Sequence, residues 1–167
     1  MCNPLTPVPF RAPGSDGTGR QGYPPAPEPL PVPVMDNHTH LDFPTEGLKV
    51  SIGDALDAAE AVGVRGAVQV GCDLESSRFT VQAVELDARL LGAVALHPND
   101  APGYAARGEL DEALAEIEAL AAHPRVRAIG ETGLDYYYDY SNRTESGCHR
   151  QWFATGSQTQ DQHHSRA

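Results

Sequence analysis

Residues 64–98 read VRGAVQVGCDLESSRFTVQAVELDARLLGAVALHP, and this stretch decides the fold class. It opens with a Val/Ala-rich run, Val64 to Gly71, bounded by Gly63 and Gly71. A short apolar run of this kind, without regular polar alternation, reads as a strand buried on both faces. Phe79, Ala83, Leu86 and Leu90 then recur at i, i+4, i+7 and i+11, the spacing of one helical face. A second apolar run, Leu90 to Leu96, closes on His97-Pro98. Strand, helix and strand in this order form a βαβ unit, the building block of a parallel sheet.

The same alternation extends in both directions. Upstream, Val32-Pro33-Val34-Met35 runs into Asp36-Asn37-His38-Thr39-His40 and reads as a first strand. Ser51, with Asp54 three residues later, predicts a capping-box helix start. Ile52, Ala55, Leu56, Ala59 and Val62 give that helix one buried face, and Gly63 marks its end. Downstream, Leu110, Ala113, Leu114, Ile117 and Ala121 mark a third helix. Val126 to Ile129 is a fourth strand, ending in Gly130-Glu131-Thr132-Gly133. Four strands and three helices make half of an eight-fold barrel or most of a small doubly wound sheet, and periodicity leaves both open.

The flanks have a different composition. Ten of the 14 prolines lie in residues 1–34, and the run Pro24-Pro25-Ala26-Pro27-Glu28-Pro29 can neither form a helix nor pair as a central strand. Residues 1–33 are therefore expected to be a disordered Pro/Gly-rich leader. Residues 141–167 contain only Cys148, Trp152, Phe153, Ala154 and Ala167 as apolar residues, with no periodic run, and are expected to be a disordered polar tail. Residues 34–140 form the expected folded unit. The net charge of −11 concentrates there, since residues 35–140 hold seven Lys/Arg against 19 Asp/Glu.

That acidity excludes binding of nucleic acid through a basic surface, which requires Lys/Arg to displace counterions. It allows nucleic acid as a substrate where bound metals carry the positive charge. No run of about 18 apolar residues exists, so no membrane partner is expected. The N-terminus shows no secretory pattern. Cys2, Cys72 and Cys148 are odd in number and form no CxxC pair, so the expected compartment is the reducing cytoplasm.

In parallel α/β folds, chemistry gathers at the carboxyl ends of the strands. The first strand ends in His38-Thr39-His40, the third in His97 and the fourth in Glu131. His38 and His40 are two apart on an extended segment, so their imidazoles share a face and suit zinc or another divalent metal. Asp36 and Asp42 flank the pair. Glu131 sits between Gly130 and Gly133 directly after a buried strand, a position favouring a metal ligand or a ligand bridging two ions. His97 either orients substrate or a leaving group, or caps backbone. Cys72 reads as a small buried thiol, because no basic neighbour is evident to lower its pKa. His123 lies at the far end of the third helix, away from the strand carboxyl ends.

Asp36-Asn37-His38-Thr39-His40-Leu41-Asp42, then Ala95-Leu96-His97-Pro98, then Ile129-Gly130-Glu131-Thr132-Gly133-Leu134-Asp135-Tyr136, in this order and spacing, resemble the TatD family of metal-dependent hydrolases. The resemblance covers roughly residues 34–140. It implies the N-terminal half of a TIM-type (β/α)8 barrel, divalent metal ions (Mg, Mn or Zn) and DNase-like hydrolysis of DNA or another phosphodiester substrate. It further implies His38 and His40 as ligands of a first metal and Glu131 as a ligand shared between metals. With His97 from the residue reading, Glu131 and His97 are the candidate catalytic residues. In that family, two further histidines and a late aspartate come from the second half of the barrel.

A barrel of this type takes about 250 residues, so this chain is expected to be a truncated family member whose tail is unrelated or out-of-frame sequence. Gln151-Trp152-Phe153 faintly echoes the helix that follows in the family, and no apolar strand precedes His149, His163 or His164 to position them. Little or no turnover is expected. Two other readings are a hydrolase of a small ester, lactone or amide on a related barrel, and a non-catalytic fragment.

Overall fold

The computed structural model describes residues 26–42 and 50–133. Eight elements follow one another: β1 (Val34–Thr39), α1 (Ile52–Ala61), β2 (Val64–Val70), α2 (Leu74–Leu86), β3 (Leu90–Val94), α3 (Ala101–Arg107), α4 (Leu110–Ala121) and β4 (Val126–Ile129). The strands form one parallel sheet in the order β1-β2-β3-β4. A doubly wound sheet reverses its strand order at a switch point. This sheet has no reversal, so its winding is that of a TIM-type barrel, here a four-stranded part of one. Parallel crossovers are right-handed, and repeating one without reversal layers the helices on a single face. In agreement, α1 packs on β2, α2 on β2 and β3, α4 on β3 and β4, and α2 on α4.

His38 Nε2 on β1 approaches Glu131 Oε1, two residues past β4, to 3.4 Å, so side chains from the two edges of the sheet meet. The β1–β2 and β3–β4 pairings carry register irregularities, which bend strands locally.

Two apolar clusters fill the space between sheet and helices. Ile52, Leu56, Ala67, Phe79, Ala83, Val84 and Leu90 form the first. Val94, Leu96, Leu114, Ile117 and Val126 dominate the second. Helix α2 begins on a capping box, with Asp73 Oδ1 accepting from Ser76 N at 2.7 Å and Ser76 Oγ accepting from Asp73 N at 2.9 Å. Its first turn crosses the end of β2 so closely that a Cβ on Gly71 would stand 2.6 Å from Ser77 Cα. Only glycine permits that approach. At the opposite end of the sheet, Arg89 joins Asp57 and Glu60 of α1 to Asp87 after α2, at 2.7, 2.9 and 2.7 Å.

Several expectations shift in detail. Ser51 caps α1 by accepting from Asp54 N at 3.0 Å, but Asp54 returns the contact to the Ser51 hydroxyl at 2.7 Å rather than to its backbone. The aspartate stem is one methylene shorter than that of the usual glutamate. The stripe Phe79-Ala83-Leu86-Leu90 is not one helical face. The chain leaves the helix at Asp87, with φ −136° and ψ 124°, so Leu86 is 62% exposed while Leu90 lies in β3 at 0%. The first strand starts at Val34, just after Pro33, which has no N–H for the ladder. The third strand ends at Val94, although Ala95 and Leu96 stay fully buried. Helix α3 is an addition to the sequence reading, with Pro102 in its first turn and Gly108 closing it at φ +72°.

Of the leader, residues 26–33 are described, and Leu30 N donates to Val62 O at 2.9 Å beside Gly63. Residues 1–25 and 134–167 lie outside the described residues, and with them Leu134-Asp135-Tyr136, the Gln151-Trp152-Phe153 echo, His149, His163 and His164. Among the described residues no helix is long and apolar enough to cross a membrane.

The break in the stripe gives a paired test. Leu90→Ala is expected to destabilise the chain by about 2–5 kcal/mol and Leu86→Ala by no more than about 0.5 kcal/mol, read from urea midpoints. Equal losses would contradict the assignment of Leu90 to the strand.

Candidate metal centre

The carboxyl ends of all four strands open on the concave rim. His38 lies on β1 and His40 one residue past its end. The Asp36 carboxylate braces the turn of backbone there, Oδ1 accepting from His38 N at 3.0 Å. His40 Nδ1 lies 2.9 Å from the carbonyl oxygen of Val70 at the end of β2. A carbonyl only accepts, so Nδ1 carries the proton and Nε2 keeps a lone pair for a ligand. The two Nε2 atoms stand 3.1 Å apart, with the rings edge to face at 70°.

Glu131 reaches this pair from the far edge of the sheet. Its Oε1 lies 3.4 Å from His38 Nε2, and its Oε2 lies 3.8 Å from His97 Nε2. The ligand atoms of His38, His40 and Glu131 all lie within 4.8 Å of one another. Two imidazole nitrogens and one carboxylate oxygen are the donor types of catalytic zinc and related divalent sites. Neighbouring nitrogens around a tetrahedral ion bonded at 2.0–2.1 Å stand about 3.3 Å apart, close to the 3.1 Å seen here. The donor set therefore fits a divalent cation. The group is open to solvent, with the His38 and Glu131 side chains 46% and 40% exposed.

Two flanking groups complete the rim. His97 N donates to Cys72 O, tying the end of β3 to that of β2. His97 Nδ1 accepts from Asn99 N at 3.1 Å, which places the proton of the neutral ring on Nε2, the atom facing Glu131. One ring nitrogen of His97 thus caps backbone, and the other faces Glu131. Cys72 Sγ lies 4.0 Å from Glu131 Oε1 and 4.0 Å from His40 Nδ1. Burial, then the negative charge of Glu131 and Asp42, pushes its thiol up to about 11, in line with an inert thiol.

The structure thus brings His38, His40 and Glu131 together and leaves His97 one step out. Asp42 turns away from the group and accepts from Gln69 Nε2 at 2.8 Å. Gln69 was not singled out from sequence, and its signal was an amide flanked by Val68 and Val70 in the buried half of β2. His123 lies at the opposite end of the sheet, its Nδ1 accepting from Arg125 N at 3.2 Å and its Nε2 3.4 Å from Glu85 Oε1.

Comparison with known proteins places the sequence in a family. A family described as "TatD related DNase" matches residues 35–155. An uncharacterized metal-dependent hydrolase TatD of Mycobacterium tuberculosis is 44% identical over 105 residues, which cover 63% of this chain and 38% of the relative. The uncharacterized metal-dependent hydrolase YabD of Bacillus subtilis is 33% identical over 65% of this chain and 40% of its own. A 3'-5' ssDNA/RNA exonuclease TatD of Musicola paradisiaca is 32% identical over 54% of this chain and 33% of its own. The aligned part of the chain spans well under half the length of these relatives.

The raised thiol makes a chemical prediction. At pH 8, iodoacetamide should modify Cys72 in the folded chain at least about 10-fold more slowly than in urea, followed by mass spectrometry of its peptide. Equal rates would contradict a thiol held protonated beside Glu131.

Proposed function

The chain belongs to the TatD-related DNase family, and on that premise we propose that it hydrolyses phosphodiester bonds of nucleic acid with a divalent metal held by His38, His40 and Glu131. The observation that carries this reading is the convergence of those three side chains from opposite edges of the sheet to within 4.8 Å. A divalent cation held there supplies Lewis acidity toward a phosphodiester and lowers the pKa of a water.

The chain's own groups have distinct parts. The Val70 carbonyl fixes the His40 tautomer, so the His40 and His38 Nε2 atoms face one point. Glu131 supplies a carboxylate between the two histidines and His97. His97 presents its Nε2–H on that side, placed to donate to a phosphate oxygen or to the departing oxygen. The segment around the centre is acidic, with seven Lys/Arg against 19 Asp/Glu in residues 35–140. A polyanionic substrate would therefore need a cation held by His38, His40 and Glu131, because the surrounding segment offers little positive charge. The relatives named as exonucleases of single-stranded DNA and RNA support that substrate class over a small ester. Turnover is expected to be slow, because a centre this exposed does not exclude water.

The test is cleavage of single-stranded DNA by the purified full chain with Mg²⁺ or Mn²⁺. Activity should vanish with EDTA and fall about 100-fold or more in His38→Ala, since several kcal/mol of charge stabilisation leave with the ion. His97→Ala should retain metal binding while losing part of the rate. Cleavage unaffected by His38→Ala, or turnover of carboxylic esters alone, would overturn the proposal.

A further inference from the structure

Gln69 is fully buried on β2, flanked by Val68 and Val70. Its amide spans two strands. Oε1 accepts from Leu41 N at 2.7 Å, and Nε2 donates to Asp42 Oδ1 at 2.8 Å and to Val70 O at 3.3 Å. Leu41 and Asp42 are the residues immediately after His40. Val70 O is also the acceptor that holds the His40 ring, at 2.9 Å. Leu41, partly buried, packs against the apolar cluster that includes α1 and α2, and its part-buried N–H finds its acceptor in Gln69 Oε1.

We infer that Gln69 is a positioning residue for His40. Through Leu41 and Asp42 it fixes the chain leaving the His-x-His segment. Through the shared Val70 carbonyl it lies alongside the hydrogen bond that sets the tautomer of the ring. No hydrocarbon side chain offers one acceptor and one donor at this depth, and removing either strands a buried partner. Its orientation is set by chemistry, since the Leu41 N–H can only donate and the Asp42 carboxylate can only accept. Groups that orient ligating histidines in this way commonly govern metal affinity about 10–100-fold. For that consequence the inference rests on the metal centre proposed above, but its primary test does not.

The primary test uses the full chain without metal. Ring ¹⁵N shifts should show His40 as a single Nδ1–H tautomer in the native sequence. They should show a mixture of tautomers in Gln69→Met, which keeps side-chain length and removes all three amide hydrogen bonds. Asp42→Ala, which leaves the β2 interior intact, should shift the mixture in the same direction and guards against loss of folding in the first variant. A His40 ring unchanged in both variants would overturn the inference. The second measurement is Zn²⁺ titration, in which both variants should bind about 10–100-fold more weakly. Absence of Zn²⁺ binding by the native chain, with the tautomer still dependent on Gln69, would overturn the metal reading and leave the positioning role standing. Native binding unchanged in both variants would overturn the role at the metal.

Discussion

A parallel crossover that repeats without reversal is the constraint on which the rest of the molecule depends. Each βα unit returns the chain to the next position on the same side, so helices accumulate on one face of the sheet. A sheet covered on one face only, and twisted strand by strand, curls toward the uncovered side. All strand carboxyl ends then meet on one rim. His38 on β1 and Glu131 just past β4 belong to the two edges of the sheet, and their side chains come within 3.4 Å on that rim. Reversing the order at any strand would move one of them to a different crevice.

Two of the rim histidines rest on backbone groups. Val70 O holds the His40 ring and Asn99 N holds that of His97, whereas Asp36 braces only the peptide of His38, whose ring meets His40 and Glu131. The backbone contacts fix the tautomers of His40 and His97 before any ligand arrives, which is how a small set of donors becomes directional. Acidic residues near the centre divide by role. Asp36 and Asp42 accept hydrogen bonds from the chain, whereas Glu131 keeps both oxygens toward the histidines. Dense negative charge repels a polyanion, so the proposed action on nucleic acid requires a cation at this centre.

Much of this was legible from residue order. The short Val/Ala-rich runs Val64–Gly71 and Val126–Ile129, each ending at a glycine and alternating with helical patterns, read as strands of a parallel sheet, and Gly63 and Ser51 bound α1. His38 and His40 were readable as a same-face pair because strand geometry has period two. Three things were not readable. Leu86 and Leu90 mimic a helical stripe, and only the extended backbone at Asp87 separates them. Helix α3 is a single short segment whose signals, Pro102 and Gly108, fit a loop equally well. The role of Gln69 depends on a partner 28 residues earlier, a pairing that local pattern does not encode.

The central claim is that two imidazoles and one carboxylate from opposite edges of the sheet converge on one ion. X-ray absorption at the zinc edge, on the full chain loaded with one equivalent of Zn²⁺, reads the ligand shell directly. The account predicts two imidazole ligands at about 2.0–2.1 Å together with oxygen, and loss of one imidazole in His40→Ala. A shell of oxygen alone, or a shell unchanged by that substitution, would contradict it.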